Sequence, residues 1–321
     1  MSCYNPLYVR YANGKFSRFG GKLTKSVLAD NDLGDIVPVP CGKCVGCRLD
    51  RSKRWADRML LEFERPAGSL PPRSAIFVTL TYDDAHVSKV RCRDNQYRDN
   101  LCLKDTQDYH KRLRKYFSGR PLRYFLAGEY GDQTFRPHYH EILFGLSLFD
   151  LPDAVPFGAG EQPGTVYYVS PTLADIWSNG HVLISEVNYK TFAYVSRYVL
   201  KKQFDSDDGQ LVYRGRKPPF VLMSRRPGLG LSYFASDDLD TTAVFDGSDV
   251  KIIPRPRYDL LKLKDTDPYQ YEVLSAARRL KAEARQRAIL AQSDLNLIDR
   301  LKQDEIIFKN RILMLDKRDK I

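Results

Sequence analysis

Apolar positions along this chain repeat with two different periods in turn. Between Arg48 and Glu64, Trp55, Met59, Leu60 and Phe63 share one helical face while Arg48, Arg51, Lys53, Arg54 and Arg58 fall largely elsewhere, which predicts an amphipathic helix. Pro66 and Gly68 stop it. From Ala75 to Tyr82 the residues turn β-branched and aromatic, between Pro72 and the pair Asp83 and Asp84, and predict a strand. After a charged loop, Leu103 to Phe117 reads as a basic helix, Leu122 to Glu129 as a strand, Gly131 to Thr134 as a turn and Arg136 to Phe144 as the next strand. A Gly-, Pro- and Asp-rich insertion from Phe149 to Thr165 precedes a short helix at Pro171 to Trp177, a strand at His181 to Val187 and a helix at Tyr189 to Lys202. The order β-α-β-β-α-β-α is compatible with an α+β fold of the ferredoxin-like kind, an antiparallel sheet with helices on one face, carrying an additional helix.

The flanks are less periodic. The first forty residues are polar and show no sustained period until Ile36 to Pro40 leads into Cys41, Cys44 and Cys47. Beyond Lys202 a strand is expected at Phe220 to Met223, followed by a basic loop from Ser224 to Gly230 and a linker-like stretch between Ala235 and Pro256. From Tyr269 to about Asp319 there is neither Pro nor Gly, so one or two long helices close the chain. The expected division is an N-terminal Cys-cluster segment with its basic helix at 1–70, a core domain at 71–234, and a linker with a C-terminal helical region at 235–321.

Charge changes the picture more than bulk composition does. In 321 residues, 43% hydrophobic and 28% charged is an ordinary globular balance, but 51 Lys and Arg against 40 Asp and Glu give +11, which suits a polyanionic partner. Nucleic acid fits best, although a merely soluble basic protein would carry the same charge. No run of about eighteen apolar residues suggests a membrane span, and the first thirty residues lack the apolar core of a secretory signal, so a cytoplasmic protein is expected.

Candidate chemistry begins at His138 and His140. Two apart on a strand, they project from one face while Tyr139 points away, and two neutral imidazoles can grip one divalent ion. A structural histidine pair is the plainer alternative. Phosphoryl chemistry favours a hard ion such as Mg²⁺ or Mn²⁺, so a carboxylate should complete the set. Glu129, at the end of the preceding strand and across the turn, is the candidate. Glu141 faces the other way and is a weaker one, and His86, His110 and His181 have no partner at ligand spacing.

A second constellation is Tyr194, Arg197, Tyr198 and Lys201. On a helix the tyrosines lie one turn apart on one face, and each is followed one turn later by a cation that favours phenolate. Tyrosines at that spacing also serve as half-buried core. Read with the histidines, the parts assemble into one reaction in which an ion polarises a scissile phosphate and a tyrosine attacks it, giving a 5′-phosphotyrosyl enzyme and a free 3′-OH. Two tyrosines would permit alternation.

With these residues the chain resembles the replication initiation proteins of small single-stranded DNA phages, the gokushovirus-like microviruses, within the HUH endonuclease superfamily. The first motif of that family resembles Phe77 to Tyr82, the second Arg136 to His140, the third Tyr194 to Lys202; the Cys cluster and Met223 to Gly228 also look like the phage branch. The resemblance runs from about Cys41 to Gly230. It implies a ferredoxin-like HUH core, Mg²⁺ or Mn²⁺, an origin-specific nick in single-stranded DNA that starts rolling-circle replication, two active tyrosines and a place in the host bacterial cytoplasm. Where the family shows Lys after the first tyrosine this chain has Arg197, which keeps charge but does not readily shed a proton, so the order in which the tyrosines cut stays open.

Cys41, Cys44 and Cys47 recur every third residue, and Cys3 supplies a fourth thiolate if the N-terminus folds back, which suits structural Zn²⁺; a reduced cluster without metal is the alternative. Cys92 and Cys102 read as ordinary residues. Basic patches at Arg48 to Arg58, Lys111 to Lys115 and Arg225 with Arg226, interleaved with Trp55, Tyr109, Tyr116 and Phe117, suit phosphate contact and base stacking. Arg136, Lys202, Arg225 and Arg226 are the expected DNA contacts. The closing helices are open to two readings, recruitment of a host helicase or polymerase, or self-pairing. Two rival functions remain: a non-catalytic basic nucleic-acid binder, and a metal-dependent nuclease that uses water.

Overall fold

The computed structural model describes residues 3–12, 15–18, 36–65, 73–131, 133–160, 164–202, 213–231, 240–246, 249–292 and 294–318. The chain forms two compact units, Met1–Arg51 with Leu263–Ile321, and Ser52–Lys262.

In the smaller unit, β1 (Leu7–Ala12) pairs antiparallel with β2 (Lys15–Arg18) and β3 (Ile36–Val39). No sustained apolar period marks these strands in the sequence. β3 is half-buried along its whole length, so neither of its faces shows an inside-outside alternation. Two helices complete the unit, here α6 (Pro268–Leu290) and α7 (Leu297–Arg318), with Tyr4 and Phe308 at 6.0 Å between ring centroids.

The larger unit is built on a seven-stranded sheet. Its members are β4 (Ala75–Thr81), β7 (Arg123–Tyr130), β8 (Pro137–Phe144), β9 (Val155–Ala159), β10 (Val166–Val169), β11 (Val182–Glu186) and β12 (Phe220–Met223), in the order β12-β7-β8-β4-β11-β10-β9. All neighbours are antiparallel. The helices are α1 (Val45–Phe63), α2 (Leu103–Tyr116), α3 (Pro171–Trp177), α4 (Tyr189–Lys202) and α5 (Arg257–Thr266). The sequence β4-α2-β7-β8-α3-β11 with the spatial order β7-β8-β4-β11 is the ferredoxin-like βαββαβ arrangement. A small hairpin, β5 (Lys89–Arg91) and β6 (Tyr97–Asp99), interrupts it after β4.

Strand alternation sorts the core into two layers. Ile76, Val78 and Leu80 of β4, with Tyr82 just after it, pack with Tyr109 and Leu113 of α2 and Leu173, Ile176 and Trp177 of α3. The intervening Ala75 and Phe77 pack with Phe125, Ile142 and Phe144, and with Met59 and Leu60 of α1 and Phe192 and Val195 of α4. Each such buried Leu or Phe contributes roughly 1.5–3 kcal/mol relative to exposure. The helices therefore cover both faces of the sheet, not one.

Two stretches read as loop contain strands. Within the insertion Phe149 to Thr165 lies β9, solvated along its whole length at the sheet edge, so no apolar period marks it. The linker-like stretch holds the hairpin β13 (Thr241–Asp246) and β14 (Asp249–Pro254), whose Val244 and Ile253 are buried in the α1/α4 layer. Among the described residues, no helix is long and apolar enough to cross a membrane.

Candidate metal and nucleophile site

The β7–β8 hairpin sets the register from which everything else follows. Glu129 stands directly opposite His138, and Ala127 opposite His140; across the other edge of β8, Thr81 faces His138 and Thr79 faces His140. All these side chains rise on the α1/α4 face, where the apolar floor of Phe77, Phe125 and Ile142 gives way to polar groups toward one end of the strands. On the far face Gly128 opposes Tyr139, whose ring rests against the bare backbone; an added Cβ would sit 3.1 Å from that ring and 3.2 Å from Leu101.

Glu129 Oε1 lies 2.9 Å from His138 Nε2 and 3.1 Å from His140 Nε2. The other ring nitrogens are held. His138 Nδ1 is 3.2 Å from the Arg136 carbonyl, which can only accept, so a proton held on Nδ1 leaves Nε2 of the neutral ring a lone pair for an ion. His140 Nδ1 is 3.1 Å from Thr79 Oγ1, and its ring stacks on Phe77 at 5.5 Å. A carboxylate oxygen at these distances can accept from an Nε2–H or share an ion with the Nε2 lone pairs. Burial opposes ionisation of Glu129, but the imidazole hydrogen bonds and charges outweigh it and hold the carboxyl below its ordinary range.

The donor set fits a divalent ion. Two cis ligands each ~2.1 Å from an octahedral centre are ~3.0 Å apart, which is the separation seen from Glu129 to each imidazole. Nδ1 anchoring by a carbonyl and a hydroxyl is the outer-shell pattern that orients metal-binding imidazoles. Thr79 was not among the site residues expected from the sequence. Its alternation with Thr81 on the strand beside the histidines was the available signal.

Helix α4 brings Tyr194 to this cluster. Phe192, Val195 and Ser196 are buried at helical spacing, and Ser196 Oγ meets Ser52 Oγ at 2.9 Å, fixing the helix rotation. The half-buried Tyr194 ring then lies edge-on to His140 at 5.6 Å and to Phe77 at 6.3 Å between centroids. Arg197 is exposed, with Nε 3.4 Å from the Ala193 carbonyl. The side chains of Tyr198, Lys201 and Lys202 lie outside the described residues.

The expected nucleic-acid contacts divide. Arg225 and Arg226 are exposed. Arg136 donates to the Tyr82 carbonyl from Nε and Nη2 and pairs with Asp84 at 2.7 Å, tying the β8 entrance to the end of β4. Arg58 turns inward, stacked over Trp55 at 4.3 Å and donating to the Leu229 carbonyl at 3.0 Å. Arg112 similarly donates to the Ile176 and Trp177 carbonyls at the end of α3. Tyr109 is fully buried, so its expected part in base stacking is ruled out; the α2 face that carries it packs on Trp177. Tyr116 is exposed.

Cys3, Cys41, Cys44 and Cys47 also gather, with all four sulfurs within 4.8 Å of one another. His110, read as partnerless, meets Glu141 at 2.7 Å.

Similarity to known proteins covers this geometry. The sequence model of a family of replication-associated proteins, described by its ORF2 members, matches residues 75–203, from the first residue of β4 to the residue after α4. The replication-associated protein ORF2 of Spiroplasma virus 4 is 34% identical over 251 residues, spanning 73% of this chain and 70% of that protein. The replication-associated protein VP4 of Bdellovibrio phage phiMH2K is 30% identical over 209 residues, 65% of this chain and 60% of its own length. For the replication-associated protein ORF4 of Chlamydia phage 1 the figures are 32% over 206 residues, 62% and 46%. No solved structure matches at a significant level.

Proposed function

The chain belongs to the replication-associated proteins of microvirus-like small phages, and from that premise we propose that it is an endonuclease that nicks and rejoins single-stranded DNA at a replication origin through a tyrosine nucleophile. The observation that carries the reading is the convergence of Glu129, His138 and His140 beside Tyr194.

Glu129, His138 and His140 would hold a hard divalent ion, Mg²⁺ or Mn²⁺, which when bound supplies positive charge to a scissile phosphate. Thr79 and the Arg136 carbonyl keep the two imidazoles aimed at that point without reorganisation. Tyr194 Oη attacks phosphorus in line, losing its proton as the P–O3′ bond breaks and the 3′ oxygen takes up a proton. The products are a 5′-phosphotyrosine and a 3′-OH, so the phosphodiester energy is kept and the reverse attack rejoins strands. Exposed Arg225 and Arg226 contribute sequence-independent phosphate contacts.

The test is covalent capture. The full chain incubated with a panel of single-stranded oligonucleotides from the genome and Mn²⁺ should yield an adduct that survives denaturation and maps to a tyrosine of α4. Cleavage without an adduct would assign water as nucleophile, binding without cleavage a non-catalytic role, and either outcome overturns the proposal. Tyr194→Phe should abolish the adduct or move it to Tyr198.

A further inference from the structure

We propose that Cys3, Cys41, Cys44 and Cys47 form a second, chemically distinct metal site that holds a structural Zn²⁺ and clamps the start of the chain to the first turn of α1. The geometry is that of a ligand cage. Cys3 and Cys44 sulfurs are 3.8 Å apart and those of Cys41 and Cys47 3.9 Å. Four sulfurs each ~2.3 Å from a tetrahedral centre are ~3.8 Å apart along every edge. A disulfide would need a separation of ~2.05 Å, and all four cysteines are free thiols.

Backbone amides hold three of these sulfurs in place. Cys41 Sγ accepts from the amides of Lys43 and Cys44 at 3.4 and 3.3 Å, Cys3 Sγ from Cys41 N at 3.3 Å, and Cys44 Sγ from Tyr4 N at 3.4 Å. Amide hydrogens aimed at sulfur are the donors that accompany metal-bound thiolates, and Cys47 adds its sulfur from the first turn of α1. Gly42, at φ +75°, lets the loop turn so that Cys41 and Cys44 point inward together.

Donor softness separates this cage from the imidazole and carboxylate cluster. Four thiolates select Zn²⁺ over Mg²⁺ or Mn²⁺, whereas two imidazoles with a carboxylate suit the hard ion used on phosphate. The two sites therefore load independently. The cage also closes the loop between Cys3 and Cys41, 38 positions apart, and a bound ion converts that closure into stability of the fold.

The experiment uses the full chain carrying His138→Ala and His140→Ala, so that zinc held adventitiously by the imidazoles is not counted, purified under reducing conditions. Elemental analysis should find one zinc per chain, released by a mercurial, and Co²⁺ exchange should give the absorption bands of a tetrahedral four-sulfur centre. Cys3→Ser should shift those bands toward a three-sulfur centre or remove them. Protein that neither contains zinc nor takes it up when supplied, that carries iron instead, or whose cobalt spectrum is unchanged by Cys3→Ser, would overturn the proposal. None of these readouts involves DNA, so they stand or fall apart from the nicking reaction.

Discussion

Strand β8 presents a histidine and carboxylate contact on each of its faces. On one, His138 and His140 meet Glu129 at 2.9 and 3.1 Å; on the other, Glu141 meets His110 at 2.7 Å. The residue types and distances are nearly the same, but the surroundings are not. The side chains of Glu141 and His110 are 0% and 5% exposed, and the His110 ring stacks on Tyr124 at 3.9 Å. His138 keeps 18% of its side chain in solvent, and a second imidazole shares the same carboxylate oxygen. A sealed pair with one imidazole can brace a helix against a sheet; an accessible trio can take an ion and meet a substrate. Number of donors and access, rather than residue type, mark the candidate site.

That contrast can be broken most sharply at the ligands. Glu129→Gln or His140→Ala should reduce nicking by about 10³-fold, because an ion at such a centre is worth several kcal/mol to the transition state, while circular dichroism and Tm change little. Unfolding of either variant would reassign the trio to the same bracing role as the far face. The converse change, His110→Leu, strands Glu141 in the core and should cost about 3–5 kcal/mol in denaturant melts, with nicking per folded molecule unchanged. Thr79→Val removes only the anchor on His140 Nδ1 and should weaken Mn²⁺ dependence or rate by about 10–100-fold without loss of stability.

The smallest effect lies away from both faces. At the start of α3, Asp153 accepts from Ser170 Oγ and the Thr172 amide, both at 2.7 Å. Burial alone would raise its pKa, but these hydrogen bonds outweigh it and hold the carboxyl below its ordinary range. A depressed folded value means the stabilisation is complete above the unfolded pKa and is lost as pH falls through the folded one. Asp153→Asn should therefore flatten the acid limb of the stability curve slightly, and equal acid unfolding of wild type and variant would show the group idle.

Legibility in sequence followed the range of the interactions. Elements with strong local period, such as Leu103–Tyr116 and Tyr189–Lys202, are found within a residue of where the pattern puts them. Glu129 could be paired with His138 because a tight hairpin makes a nine-residue separation local. His110 and Glu141, 31 residues apart on different elements, leave no such trace, and Thr79 beside His140, at a separation of 61, leaves only its alternation with Thr81. The strands at Val155–Ala159 and Thr241–Asp246 were missed because neither repeats inside and outside positions over a long enough run. The cysteines lie between these cases, three being adjacent in sequence and the fourth reachable only by the fold.

The pairing of Glu129 with His138 also constrains how this hairpin can change over time. Because side chains alternate, a slip of β8 by one position toward the turn would turn the whole strand over relative to β7 and β4. Tyr139 and Glu141 would then occupy the rows that now hold His138 and His140, and both constellations would be lost in one event. A change in the length of this turn is therefore tolerable only where the turn itself absorbs it and leaves Glu129 opposite His138.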